Sequence, residues 1–248
     1  VPKSNILLGQ HKYSYEVEIV YKDMVKKREN KKVEYIKKIL AKMGKIGPVP
    51  DDVILIGSIS RLIEHYQNSL ILKSLVSLCR NNKNVFLLFK GSRPDKDVDN
   101  NFYALLNEYQ NEPWLLFDNE RSDMPEIFEI YASLDLAIFA AAVGNASAEI
   151  AGVGTPLLLS HNSTNVSLYS GIAEFFFSSE LADKVQSFLN KSKSQRNALR
   201  KATKKKSSER FSPEVFGKKI KMAMEASSTY FHADELAKEK IRTKMATL

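Results

Sequence analysis

The richest place to look for chemistry is the segment Ala140–Pro156, AAAVGNASAEIAGVGTP. It leaves an apolar run, passes through Gly144, and opens a helix at Asn145, Ala146 and Ser147. Small side chains there let a backbone approach a ligand. The unpaired amides of a first helical turn, with the helix dipole behind them, attract an anion such as a phosphate. Glu149 falls one turn into that helix and can face the same pocket. A second reading is a capping arrangement, with Asn145 capping the helix and Glu149 supporting its first turns. The local sequence leaves both open.

Two further segments present polar groups where a strand ends. GSISR, Gly57–Arg61, offers Ser58, Ser60 and Arg61. A guanidinium can fork onto a phosphate through two parallel hydrogen bonds, or Arg61 can pair with Glu64 at i+3. DNERSD, Asp118–Asp123, places Asn119 and Arg121 where they can meet the edge of a base or sugar, or simply be solvated.

The familiar catalytic signatures are missing: there is no G-x-S-x-G elbow, P-loop, H-E-x-x-H or C-x-x-C pair. The four histidines, His11, His65, His161 and His232, are too scattered to suggest ligation, so no metal is expected. His65 and His161 do fall at loop positions after strands, where either can touch a substrate or remain an ordinary surface histidine. Cys79, in the apolar run LVSLC, is the sole cysteine and excludes a disulfide framework within the chain; a reducing compartment fits. No apolar run reaches the roughly 18 residues of a membrane span, since LAIFAAAV from Leu136 is about half that. The first residues, VPKSNILLG, lack the charge pattern of a signal peptide.

Positioning such groups requires a framework, and the 248 residues supply one. With 44% hydrophobic and 27% charged residues, the composition is that of a folded globular chain rather than a disordered or fibrous one. From Val53 to Ser179, short apolar runs alternate with amphipathic stretches. Predicted strands are VILIGSI at Val53, NVFLLF at Asn84, WLLF at Trp114, DLAIFA at Asp135, TPLLLS at Thr155 and EFFFS at Glu174. Being continuously apolar, they read as strands covered on both faces. Predicted helices lie between them at Asn68–Arg80, Asn100–Tyr109, Met124–Ser133, Ala146–Val153 and Asn165–Gly171. This alternation predicts an α/β fold: a doubly wound parallel sheet, Rossmann-like, with right-handed crossovers and flanking N- and C-terminal helices.

The expected organisation is a linker and amphipathic helix over 1–50, a Rossmann-like domain over 51–190, and basic helices over 191–248. Lys31–Met43 places Val33, Ile36, Ile39, Leu40 and Met43 on one stripe with lysines opposite. Lys191–Ser208 and Pro213–Ala226 read as basic helices, the second opened by Ser212 and Pro213, and Ala233–Met245 as a last amphipathic segment.

The formal charge of +8 is unevenly spread. Lys12–Lys45 has 11 basic against 5 acidic residues and Lys191–Lys221 has 12 against 2, whereas Ile46–Asn190 has 9 against 18. The basic excess thus belongs to the flanks. No RNA-recognition motif is legible, so nucleic acid is not the expected partner.

The order of these segments resembles the donor-binding C-terminal domain of GT-B glycosyltransferases, particularly the glycogen-synthase-like retaining group. The resemblance rests on Gly57, Arg61 and Leu62; Lys90 and Gly91; Met124, Pro125, Ala132, Asp135 and Leu136; and Gly144, Glu149, Gly154, Thr155 and Pro156. It covers about Val53–Ser179, with VPKSN similar to the family's linker into that domain.

The resemblance implies a glycosyltransferase that takes a sugar from a nucleoside diphosphate donor, UDP or GDP linked, and transfers it to a carbohydrate, lipid or protein acceptor in carbohydrate biosynthesis. No separate cofactor is implied. Arg61 would bind the donor diphosphate, with Ser58 and Ser60 beside it, and the amides near Gly144, Asn145, Ala146 and Ser147 would cradle its phosphates. Glu149 would accept hydrogen bonds from the ribose, and Asn119 and Arg121 would lie near the nucleobase. Two positions depart from the family: Tyr66 or Gln67 stands where it has a lysine, and Ala141 where it has the first glutamate of a paired motif. A complete GT-B enzyme has two Rossmann-like domains, so an acceptor domain, or a partner chain supplying it, is expected in addition to these residues. The expected residence is cytoplasmic. The basic C-terminal segment there either makes a peripheral membrane contact or solubilises helices packed on that other domain. The rival reading is a non-catalytic Rossmann-like module that binds a protein or polyanion through its basic flanks.

Overall fold

The computed structural model describes residues 28–92, 98–141, 143–212 and 215. The chain divides into a unit of residues 16–207 and a second unit of 1–15 with 208–248. The architecture below is that of the first.

Six parallel strands form one sheet in the order β3-β2-β1-β4-β5-β6: β1 Ile54–Ile59, β2 Val85–Lys90, β3 Leu115–Asp118, β4 Leu136–Phe139, β5 Leu157–Ser160 and β6 Glu174–Phe176. Every residue of β1, β2 and β4 is buried, as continuous apolar runs require when helices cover both faces. Between the strands run α2 Asn68–Asn81, α3 Asn100–Glu108, α4 Met124–Ser133, α5 Asn145–Gly152 and α6 Ser163–Tyr169; α7 Leu181–Leu189 follows β6. The sheet is thus doubly wound, with the crossovers leading outward from its centre in both directions.

One face carries Ile54, Ile56, Leu87, Phe89, Leu136 and Ile138 in a core shared with α2, α3 and α7. Phe89 and Phe102 lie at its heart, both fully buried with ring centroids 4.8 Å apart. Burying each such side chain stabilises the fold by roughly 1.5–3 kcal/mol. Residues that alternate with these, such as Leu55, Leu88 and Ala137, point to the other face.

Local chemistry sets the helix starts. Asp123 accepts from the amide of Glu126 at 2.9 Å and Pro125 occupies the first turn of α4. Asn162 accepts from the amide of Asn165 at 2.9 Å at the start of α6. The turn that ends α5 uses Gly154 at φ +87°, where a Cβ would also lie 3.0 Å from the carbonyl of Arg200.

The flanks differ in detail from the sequence reading. The first described helix, α1, spans 28–42, and Ile36, Ile39 and Leu40 are buried as its stripe requires. Lys32 is buried too, rather than facing solvent with the other lysines. Its ammonium donates to the Val53 carbonyl at 2.7 Å and to Asp135 at 3.0 Å, so packing has overridden the amphipathic pattern. Helix α7 was not predicted, although Leu181, Val185 and Phe188 fall on one buried stripe. The basic helix α8 spans Lys193–Phe211 and opens with a reciprocal cap: Ser192 Oγ accepts from the Gln195 amide and Gln195 Oε1 from the Ser192 amide. Ser212 Oγ accepts from the Val215 amide at 3.3 Å. The rest of the predicted helix Pro213–Ala226 and the segment Ala233–Met245 lie outside the described residues. Among the described residues no helix is long and apolar enough to cross a membrane.

Candidate functional site

Strands β1 and β4 are neighbours, paired Ile56 to Leu136 and Gly57 to Ala137, yet the chain leaves β1 toward β2 and leaves β4 toward β5. The loops that follow them diverge at the strands' carboxyl ends, and it is in the crevice at such a switch point that open α/β sheets hold ligands. Both richest segments of the sequence begin at this end of the sheet, on neighbouring strands. Arg61 follows β1, and Gly144 with the amino end of α5 follows β4.

The β1 loop is fixed by its neighbours. Ser60 donates its amide to Lys90 at 3.1 Å, and a Cβ on Gly91 would fall 1.8 Å from the Ser60 carbonyl oxygen, so the lack of a side chain at position 91 permits this approach. Ser58 is buried, and its hydroxyl donates to Asn68 Oδ1 at 2.9 Å. Its side chain turns inward and helps hold the loop. Ser60 is half-buried, with its hydroxyl 3.4 Å from the same Asn68 oxygen. Arg61 is exposed, and its guanidinium carbon sits 5.8 Å from the centroid of the Tyr66 ring. Among the described residues no ion pair joins Arg61 to Glu64.

On the β4 side, the residue that caps α5 is Gly144, in extended conformation, with no side-chain cap. Asn145 is the first helical residue rather than the cap, so the capping reading is corrected, and no acceptor among the described residues meets the amides of Asn145 and Ala146. Gly144 and Asn145 are exposed. Ser147 is fully buried; its amide bonds back to the Gly144 carbonyl at 3.2 Å and its hydroxyl donates to the same carbonyl at 2.6 Å. Its side chain is therefore part of the turn's scaffold. Glu149 is half-buried, and burial raises its carboxyl above the ordinary glutamate value, a shift partly offset by the Tyr131 hydroxyl that donates to it.

Asn119 and Arg121 are exposed beyond the end of β3, two strands from β1. Beneath them lies a buried cluster that the sequence does not announce. Lys90 and Asp118 form an ion pair, Tyr35 of α1 donates to the same carboxylate oxygen at 2.9 Å, and Lys90 also donates to the Glu120 carbonyl at 3.1 Å. Burial pushes the Asp118 carboxyl up, but Lys90, Tyr35 and the Glu120 amide outweigh it and hold the group below its ordinary value. Burial and the adjacent carboxylate push the Tyr35 phenol up.

A second ionic cluster lies at the opposite, amino ends of the strands. Asp135 pairs with Arg28 and Lys32 and accepts from the Leu55 amide at 2.9 Å, while Arg200 donates to the Ala132 carbonyl at 2.8 Å. Asp135 is thus a structural member of the motif, distant from the crevice. His65 is exposed and edge-on to Tyr66; His161 is exposed and tilted against Phe177 with ring centroids 4.6 Å apart. Among the described residues no group of three or more His, Cys, Asp or Glu side chains could hold a metal ion.

No protein-family profile and no curated protein sequence matches the chain. Solved structures do match in shape. The N-terminal domain of Candida albicans trehalose-6-phosphate phosphatase aligns with TM-score 0.57 at 16% identity, over 79% of this chain and 46% of that one. Anabaena HepE in complex with UDP-glucose aligns with TM-score 0.59 at 17% identity, over 77% and 52%. An α,α-trehalose-phosphate synthase (UDP-forming) from Burkholderia vietnamiensis aligns with TM-score 0.58 at 13% identity, over 80% and 51%. The chain spans about half the length of the solved chains it resembles. At these identities the likeness establishes architecture: an α/β, Rossmann-like unit with a GT-B-like fold.

Proposed function

We propose that this chain binds a nucleoside diphosphate sugar, UDP-linked, in the crevice between the ends of β1 and β4, as the donor-binding unit of a GT-B type glycosyltransferase. The observation that carries this reading is the pairing, across the switch point of the sheet, of an exposed arginine with an uncapped helix start. Arg61 supplies a guanidinium for the diphosphate, and the amides of Asn145 and Ala146 supply fixed donors. Fixed donors stabilise the charge that develops on a departing diphosphate. Glu149 is assigned to the ribose, and Asn119 with Arg121 to the base. Solved proteins of this shape include HepE bound to UDP and to UDP-glucose, which favours a uridine donor over the other bases. The proposed acceptor is a carbohydrate, lipid or protein, engaged by a second unit of the working enzyme.

Calorimetric titration with UDP, GDP and ADP tests the reading. UDP is expected to bind most tightly. Failure of all three at millimolar concentration would remove the donor site from the chain.

A further inference from the structure

Helix α5 lacks a side-chain cap of its own, yet its amino end is held in place by a neighbouring helix. Asn165 of α6 is fully buried, and its carboxamide bonds in several directions. Oδ1 accepts from the Val143 amide at 3.2 Å, while Nδ2 donates to the Ala141 carbonyl at 3.1 Å and to the Ser160 carbonyl at 2.9 Å. One side chain thus ties the loop after β4 to the end of β5. One turn along the same face of α6, Tyr169 is buried with its hydroxyl 2.6 Å from Ser147 Oγ. Ser147 Oγ also donates to the Gly144 carbonyl at 2.6 Å, so the two hydroxyls and that carbonyl form one buried chain.

Resting on the donor-site reading above, we propose that Asn165 and Tyr169 are positioning residues for the diphosphate. Together they tie down Ala141, Val143, Gly144 and Ser147, and so fix the backbone that turns the amides of Asn145 and Ala146 toward the crevice. The physical case is one of substitution. A helix start normally receives an acceptor side chain from its own N-cap. Here the cap is Gly144, which has none, and its carbonyl is oriented instead by Ser147, which Tyr169 orients in turn. A side chain at the cap would fold over the first-turn amides and occupy them. Bracing from α6 leaves those amides open while fixing the backbone that carries them. Fixed donors need no reorganisation when an anion arrives, which is where their advantage over mobile ones lies.

The test uses the full chain and two readouts. Hydrogen exchange of the ligand-free protein reads the brace directly: Asn165→Ala is expected to speed exchange at Val143 and across 145–147, while α2 and β2 keep their protection. Calorimetry with UDP and with uridine reads its consequence. UDP affinity should fall by about tenfold or more, as expected for loss of well-aligned charge-assisted bonds, with uridine affinity unchanged. Should Asn165→Ala fail to fold, Tyr169→Phe removes a single hydroxyl, and faster exchange at Ser147 with a selective loss of UDP is the expected result. Unchanged exchange over 143–147 in folded variants, or equal losses for UDP and uridine, would overturn the proposal, because a side chain that only stabilises the fold lowers both alike. If the unsubstituted chain bound no UDP, the donor-site reading would fall, and the exchange data alone would still decide whether α6 braces the loop.

Discussion

Lys90 and Asp118 meet at 2.6 Å where β2 and β3 end, with side chains only 3% and 5% exposed. The pair lies directly under the loop that carries Asn119 and Arg121. Tyr35 completes it from α1, so a helix outside the predicted Rossmann-like domain braces the ends of β2 and β3.

Removing one partner of a buried pair strands the other, at a cost of about 3–5 kcal/mol. Lys90→Met is therefore expected to lower stability by that order at neutral pH in urea unfolding. The sign of the pH dependence follows from Asp118, whose folded carboxyl lies below its ordinary value of 3.8. Its contribution is complete above the unfolded value and is lost as the pH falls through the folded one. The gap between the unsubstituted chain and Lys90→Met should therefore narrow on acidification below about pH 4. A gap independent of pH would assign the loss to packing rather than charge.

Arg61→Ala and Glu149→Ala should separate two contacts. Loss of the arginine should weaken UDP by about ten- to a hundredfold, corresponding to roughly 1.5–3 kcal/mol, and leave uridine nearly unaffected. Loss of the glutamate should weaken both ligands. Because burial raises the Glu149 carboxyl above its ordinary value of 4.5, uridine affinity should decline on acidification at a pH above 4.5. Equal losses of the two ligands in the arginine variant would point to a structural role for Arg61.

The alternation of apolar runs made the sheet legible, because strands buried on both faces must be apolar throughout. β1 begins at Ile54, one residue from the expected Val53, and α4 spans the expected Met124–Ser133. The exposed residues of the candidate site, Arg61 and Gly144, could be singled out because residue type and strand-end position suffice to suggest them. The polar braces were not. Asn165, Tyr169, Asn68 and Tyr35 act through partners 5 to 83 positions away, and nothing local distinguishes a buried asparagine from a solvated one. The inward bond of Ser58 was hidden for the same reason, since a hydroxyl at a strand end can face either way. Helix α7 was lost because its stripe of Leu181, Val185 and Phe188 is short and mixed with charge.

Glycines at two ends of the framework should respond oppositely to alanine. At Gly91 the added carbon would meet the Ser60 carbonyl oxygen at 1.8 Å, and a backbone atom cannot move aside cheaply, so Gly91→Ala should cost about 1–3 kcal/mol or more. At Gly152, in α5, nothing lies within 4 Å, and Gly152→Ala should stabilise by up to about 1 kcal/mol through helix propensity. Thermal unfolding of the two variants checks both signs; a tolerated Gly91→Ala would show that the β1 loop is not pinned against β2.

Cys79 is 1% exposed, and burial pushes its thiol up to about 12. The thiolate is the reactive form, so the native chain should resist alkylation by iodoacetamide at pH 8 and react promptly once unfolded in urea. Rapid labelling of the native chain would contradict the packing of α2 against the sheet.

Hydrogen exchange of the chain with and without saturating UDP locates the donor site most directly, because the protein offers cations at both ends of its strands. Arg61 and the amides of Asn145 and Ala146 stand at the carboxyl ends, and Arg28, Lys32 and Arg200 at the amino ends. UDP is expected to slow exchange at 145–147 and in the loop after β3, leaving α1 and α8 unchanged. Protection confined to α1 and α8, or no change anywhere, would contradict the donor-site reading.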